Sequence, residues 1–307
     1  MQEGKTAKHK ALESLASELQ EFLGGKKAFS DAVLASLLAG GHILIEDVPG
    51  LGKTSFIKAL AKLLGLSMKR VQFTADLLPS DILGVQVFEP SKKSFVFHKG
   101  PIFTEILLAD ELNRASAKTQ SALLEAMEEK TVTVDQKTFK LSSLFFVIAT
   151  QNPSDSLGTF LLPESQLDRF FVKLKLDYPS KKKEAKIFKE ASLDPLKSLS
   201  QNLIVEKDFK ALQEKLESVH VSSKIIDCVQ AVIQKSREHQ KIKLGLSTRA
   251  GVQWVRLSKA KALLEKRDFV TPDDLLFLAP FCLMHRLVFY EDKSELVFRQ
   301  LLEAVVI

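Results

Sequence analysis

The sequence predicts an α/β core followed by a C-terminal region that is almost entirely helical. Three observations carry this. The apolar run Ile43–Ile45 leads through a Pro/Gly loop to Gly52-Lys53-Thr54, which opens a helical pattern closing near Gly65. Two further apolar runs, Ile106–Ala109 and Leu144–Ala149, end in Asp110-Glu111 and Thr150-Gln151-Asn152. Beyond Tyr178-Pro179-Ser180 the strand-like runs cease and apolar residues recur at helical spacing.

The elements follow in order. Leu12, Leu15, Ala16, Leu19, Phe22 and Leu23 mark a helix over 6–23, stopped by Gly24-Gly25. A second helix, 30–38, stops at Gly40-Gly41, and the first strand begins at once. A helix over 53–64 and a strand over 68–73 come next. A polar loop through Leu77-Leu78-Pro79-Ser80-Asp81 precedes Val85–Phe88 and Phe95–Phe97, two runs that flank Pro90-Ser91-Lys92-Lys93 as a β-hairpin. After the strand at 106–111, Ser116 is placed to cap a helix through about Lys130. Thr131–Val134 and Thr138–Leu141 form a second hairpin around Asp135-Gln136-Lys137. The strands at 144–149 and 171–176 complete the core. Helices are expected over 181–192, 208–218, 222–239, 248–265 and 272–288; for the last, Thr271 is the N-cap, with Pro272, Asp273 and Asp274 in the first turn.

The chain has 307 residues, enough for two domains. Apolar and charged fractions of 45% and 27% are those of a globular protein, which argues against disorder or a fibre. Cys228 and Cys282 stand far apart without a C-x-x-C pairing, so neither a zinc site nor a disulfide framework is expected. The charged N-terminus lacks a secretory signal. The most apolar segment, Leu275–Tyr290, is interrupted by Pro280, His285 and Arg286 and is too short to span a bilayer. A cytoplasmic protein without membrane insertion is the expectation. Net charge is +6, all from the C-terminal part: residues 181–307 carry 23 Lys and Arg against 17 Asp and Glu, while residues 1–180 balance at 21 each. That excess fits a solvated helical surface, an acidic partner or nucleic acid.

A strand, a glycine loop and a helix opening on Gly-Lys-Thr form a phosphate-binding P-loop. After Pro49, which fixes the loop, successive backbone N–H groups of Gly50, Leu51 and Gly52 would curl around phosphate oxygens, with Lys53, Thr54 and Ser55 entering the helix. Lys53 reaches the terminal phosphates, and the Thr54 hydroxyl is placed to hold Mg²⁺. Asp47 occupies the position where this motif usually has its first glycine. Asp110 and Glu111 arrive at the carboxyl edge of a buried strand, where α/β sheets bind ligands. The first acid orients Mg²⁺ through water and the second polarises the water that attacks the γ-phosphate. Asn152 reaches the same edge, either to hold a water or simply as a turn residue before Pro153. Arg249 falls in the first turn of its helix, where the dipole disfavours a cation unless an anion comes to it. An anion ligand and a structural ion pair both account for it.

Taken together, these stretches resemble the MoxR family of AAA+ ATPases. The resemblance rests on Gly40–Thr54, on Ala109-Asp110-Glu111-Leu112-Asn113-Arg114, on the run Lys118–Glu129, on Ala149–Pro153, on Leu162–Phe170 and on Leu246–Ala250. It implies a P-loop αβα core with a five-stranded parallel sheet over residues 1–179, carrying hairpin inserts near 85–97 and 131–141, and an α-helical lid over 180–307. Lys53 and Thr54 look like the Walker A pair, and Asp110 and Glu111 the Walker B pair. Asn152 resembles sensor 1 and Arg249 sensor 2. Arg169 resembles the arginine finger that reaches a neighbour's γ-phosphate; a structural ion pair is the alternative for it too.

The function so implied is Mg²⁺-dependent ATP hydrolysis in a homo-oligomeric ring, usually a hexamer. Such a ring remodels or matures protein partners, with separately encoded von Willebrand factor A domain proteins as the partner class. ATP is expected between the sheet edge and the lid, with Arg249 facing it from the lid. A motor on nucleic acid and a nucleotide-gated scaffold with little turnover are the alternatives. No DNA-binding module or aromatic-interleaved basic groove is visible, and the intact Asp110-Glu111 pair argues against the scaffold.

Overall fold

The computed structural model describes residues 2–47, 53–152, 160, 162–176, 184–185, 188, 195–290 and 294–305. Two helices, α1 (Gln2–Phe22) and α2 (Lys27–Leu38), precede a parallel sheet. Its strands are β1 (His42–Asp47), β2 (Met68–Gln72), β5 (Ile106–Asp110), β8 (Phe146–Gln151) and β9 (Phe170–Leu176), in the order β2-β5-β8-β1-β9. All neighbours pair in parallel, so every carboxyl end lies along one edge.

Alternation along the strands builds the layers. Ile43, Ile45, Ile106, Leu108, Phe146, Ile148, Val172 and Leu174 face the core formed with α1, α2 and α3 (Lys53–Leu64). Leu44, Leu107, Ala109, Val147 and Ala149 face the opposite core, formed with Leu123, Leu124 and Met127 of α5 (Ala117–Glu129). Both faces are covered, which is why the central strands read as continuous apolar runs rather than alternating ones. Ser116 caps α5 as expected, its hydroxyl accepting the Thr119 N–H.

Both hairpins form. A short α4 (Pro79–Leu83) leads into β3 (Gly84–Glu89) and β4 (Ser94–Lys99), and β6 (Thr131–Val134) pairs with β7 (Lys137–Lys140). Gly84 sits at φ +104°, and an added Cβ would lie 2.4 Å from the His98 carbonyl oxygen, so only glycine starts this hairpin without strain. Phe97 of one hairpin stacks on Phe139 of the other at 4.1 Å between centroids, and the two inserts are packed together.

The expected boundary at 179/180 lies outside the described residues, as does most of the helix expected over 181–192. The short α6 (Glu164–Leu167) precedes β9, and beyond the boundary α7 (Glu206–Lys215) packs on α2, with Gln213 donating to the Leu37 carbonyl at 2.8 Å. Then come α8 (Ser223–Glu238), α9 (Thr248–Leu264), α10 (Pro272–Cys282) and α11 (Ser294–Leu302). The helix expected over 272–288 stops at Cys282. Pro280 has no N–H to give, and the chain leaves through a 3-10 turn at Met284–Arg286 into β11 (Val288–Phe289). That strand pairs antiparallel with β10 (Ile242–Leu244), a two-stranded element that three-residue runs do not announce. Its start is as expected: the Asp274 carboxylate accepts the Thr271 N–H at 2.8 Å.

The helical region joins the core tightly. Lys261 of α9 meets Asp31 of α2 in a buried ion pair at 2.8 Å, and Arg256 donates to the Ala39 carbonyl at 2.7 Å. Arg286 donates to the carbonyl of Phe170, the first residue of β9, at 2.6 Å. These contacts seat the helices beside the amino edge of the sheet. No helix among the described residues is long and apolar enough to cross a membrane.

Candidate nucleotide site

The carboxyl edge carries one group of candidate residues. Asp110 closes β5 and is nearly buried. Its Oδ1 accepts the Thr150 hydroxyl at 2.7 Å, with Lys53 Nζ at 3.9 Å. Its Oδ2 accepts from Arg70 Nη2 at 2.7 Å and Nε at 3.2 Å. Lys53 and Thr54 begin α3, both half-buried, with Ser55 beside them. Pro49, Gly50, Leu51 and Gly52 lie outside the described residues.

Glu111 follows Asp110 in the left-handed region, at φ 56°. A non-glycine residue there costs on the order of 1–3 kcal/mol, and such strain is found where a side chain must be aimed. Two contacts hold it. The Glu111 N–H donates to Thr150 Oγ at 2.9 Å, and its carbonyl accepts the Arg114 N–H at 2.9 Å. The Glu111 carboxylate pairs with the Arg114 guanidinium at 3.0 Å. Asn152 follows β8 directly and is buried; its carbonyl accepts from Asn113 Nδ2 at 3.5 Å. Lys53, Asp110, Glu111 and Asn152 therefore share one edge, as the strand ends implied.

The donor set fits a hard cation held together with phosphate. Mg²⁺ takes one or two protein oxygens, keeps several waters and binds nucleotide phosphates. Asp110 would supply a carboxylate at the edge, Thr54 a hydroxyl in the first helical turn, and Lys53 the positive charge for phosphate.

The two arginines lie elsewhere. Arg169 immediately precedes β9, whose first residue pairs with His42, the first residue of β1. That is the amino edge of the sheet, separated from the carboxyl edge by the length of β1, roughly 17 Å. Arg169 Nη1 donates to the Leu124 carbonyl at 2.7 Å and meets Glu128 Oε2 at 2.7 Å. Arg249 Nη2 meets the other oxygen, Oε1, of the same carboxylate. The expectation that the lid sets Arg249 over the chain's own nucleotide is thus corrected. The α9 helix packs on α2 and on the Asp168-Arg169 corner, so its first turn points to the amino edge. Ser247 caps α9, accepting the Ala250 N–H at 3.0 Å, and donates its own proton to Asp168 at 3.0 Å. Arg286 Nε also meets Asp168, at 3.3 Å.

Around the arginines is a cavity of about 220 Å³ whose lining includes Gly40, His42, Glu128, Lys130, Arg169 and Arg249. His42 is fully buried, and burial brings its pKa down to about 4. Burial also lowers the Lys130 pKa, with Arg256 adding to the effect.

Three residues escaped the sequence reading. Thr150 was signalled by register, since Ala109 pairs with Ala149 and so sets Thr150 beside Asp110. Arg70 lies two residues before Gln72, the partner of Asp110 across β2 and β5. Glu128 had no such signal, because its partners Arg169 and Arg249 are distant in sequence and reach it only through tertiary packing.

Comparison with known proteins agrees with this architecture. A family described as "ATPase family associated with various cellular activities (AAA)" matches residues 42–172, and an AAA lid domain family matches residues 234–302. The uncharacterized protein YeaC of Bacillus subtilis is 43% identical over 304 residues, covering 97% of this chain and 95% of its own. The Mycobacterium tuberculosis protein named chaperone MoxR1 is 34% identical, over 99% of this chain and 84% of its own. A crystal structure of a candidate ATPase from Cytophaga hutchinsonii superposes with a TM-score of 0.86 at 34% identity, over 99% of this chain and 97% of that one.

Proposed function

The chain belongs to the MoxR family of AAA+ ATPases, and we propose that it hydrolyses ATP with Mg²⁺ in a ring of identical subunits to remodel protein partners. Lys53, Thr54 and Ser55 would hold the phosphates together with Pro49, Gly50, Leu51 and Gly52, and Thr54 and Asp110 the metal. Mg²⁺ would neutralise charge on the β- and γ-phosphates. Glu111 is the general base for the attacking water and Asn152 its positioning partner.

The observation that carries the ring is the separation of Arg169 and Arg249 from Lys53 and Asp110. Both arginines lie about a strand's length from Asp110 and Glu111 of their own chain. Guanidiniums that stabilise charge on a phosphate would then serve a neighbour's, and such a group is worth on the order of 10³–10⁵ in rate. The chaperone name of the M. tuberculosis relative supports a protein client. Proteins carrying von Willebrand factor A domains are the client class we propose, with the cytoplasm as the place of action and a hexamer as the ring.

Complementation tests the shared site. Glu111→Gln should bind ATP without turning it over, and Arg169→Ala should bind it and turn it over slowly. Mixing the two variants should restore hydrolysis, because some interfaces then join an intact Glu111 to an intact Arg169. A mixture no more active than its parts, or a fully active isolated monomer, would overturn the shared site. Turnover by Glu111→Gln at the wild-type rate would overturn the base.

A further inference from the structure

We infer that Glu128 is the positioning residue of the arginine pair: its one carboxylate brackets Arg169 and Arg249 so that both guanidiniums are presented together to a phosphate from outside the chain. The inference rests on the reading of the arginines given above and adds a residue to it.

Glu128 lies in the last turn of α5, and Arg249 in the first turn of α9. Each is on the wrong end of its helix, since dipoles favour cations at C-termini and anions at N-termini. The two misplaced charges meet each other, Oε1 to Arg249 and Oε2 to Arg169 at 2.7 Å. Neither charge helps its own helix, so the arrangement is explained by what it joins: the Asp168-Arg169 corner, the lid and α5.

The charge count around the cavity points outward. Arg169, Arg249 and Lys130 face one acid, Glu128, and the buried imidazole of His42 is neutral at pH 7. A single carboxylate offsets the repulsion between two guanidiniums without neutralising both. Arg169 Nε is buried without a hydrogen-bond partner among the described residues. Fixing a free arginine side chain costs rotamer entropy, and the bracket removes that cost before the anion arrives.

The test compares Glu128→Gln, Glu128→Asp, Arg169→Ala, Arg249→Ala and the arginine double variant with wild type, and the triple variant Glu128→Gln/Arg169→Ala/Arg249→Ala with the arginine double variant. Steady-state turnover is measured alongside ADP affinity, sedimentation and thermal unfolding. Glu128→Gln should lower kcat about 10- to 100-fold, the scale of a misplaced catalytic group, with KM and ADP affinity unchanged because the nucleotide cradle lies at the other edge. Glu128→Asp should fall between. In the arginine double variant, Glu128→Gln should have no further effect. Three results overturn the inference alone: slow arginine variants beside a normal Glu128→Gln, an equal loss from Glu128→Gln with the arginines absent, or a Glu128→Gln chain that no longer assembles. Arginine variants with wild-type turnover would overturn the underlying reading as well.

Discussion

The hydroxyl of Thr150 donates to Asp110 at 2.7 Å while accepting the backbone N–H of Glu111 at 2.9 Å. One side chain on β8 thus fixes two consecutive acids, Asp110 at the end of β5 and Glu111 just beyond it. It holds the carboxylate proposed to orient Mg²⁺ and pins the left-handed turn that aims the proposed base. Thr150→Val keeps the shape and removes both bonds. We predict a fall in kcat of about tenfold or more, equivalent to ~1.4 kcal/mol in the barrier, with Thr150→Ser close to wild type. Steady-state ATPase assays check it; equal rates for the valine and serine variants would show that the hydroxyl is dispensable.

How much of this was legible follows from what each signal measures. Apolar runs ending in acids report buried parallel strands, so the sheet, Asp110 and Glu111 could be placed from sequence. Strand register then implies Thr150, a step that needs the sheet order. Motifs point to Arg169 and Arg249 and to a neighbour-facing Arg169, yet not to the position of Arg249. The placement of α9 depends on packing such as Lys261 against Asp31, residues 230 apart in the chain. Periodicity reports that a helix is amphipathic and is silent about which neighbour its face meets. For the same reason the run Lys118–Glu129 does not single out Glu128.

Arg70 is the second residue that grips Asp110, through two donors on Oδ2. A guanidinium there holds the carboxylate in order and competes with any divalent cation approaching the same oxygen. Arg70→Met should therefore lower the Mg²⁺ concentration that half-saturates magnesium-dependent ADP binding by about 3- to 10-fold, as removal of a nearby like charge requires. Fluorescent-ADP titrations at graded Mg²⁺ read this without turnover. A higher Mg²⁺ requirement would show instead that Arg70 assists the metal or the phosphates directly.

The buried pair Lys261–Asp31 ties the lid to α2, with Lys27 also 2.8 Å from Asp31. Truncating one partner leaves a buried charge, which costs about 3–5 kcal/mol, whereas replacing both with apolar groups is often neutral. Lys261→Met should sit at the lower end of that range, since Lys27 still faces Asp31. The double variant Lys261→Met/Asp31→Leu should recover most of the loss in urea unfolding. Additive losses in the double variant would show that packing, rather than charge, sets the cost.

His42 makes stability depend on pH in a direction its bonds dictate. Its Nδ1 accepts the Val147 N–H at 2.9 Å, so the proton of the neutral ring sits on Nε2, which donates to the Met127 carbonyl at 3.1 Å. A second proton, on Nδ1, would confront the Val147 N–H. Burial and, to a lesser degree, Lys130 hold the folded pKa down at about 4, against the unfolded 6.5. The unfolded chain therefore binds the proton first, and the folded state loses stability as pH falls from 6.5 towards 4. The loss approaches about 3 kcal/mol and is absent above pH 6.5. His285, held low by burial and then by Arg286, adds to it in the same direction. Unfolding midpoints measured from pH 8 to 4 should decline over this window. The decline should be shallower in His42→Asn, whose side-chain oxygen stands in for Nδ1 as acceptor without titrating; an unchanged slope would exclude His42 as its source.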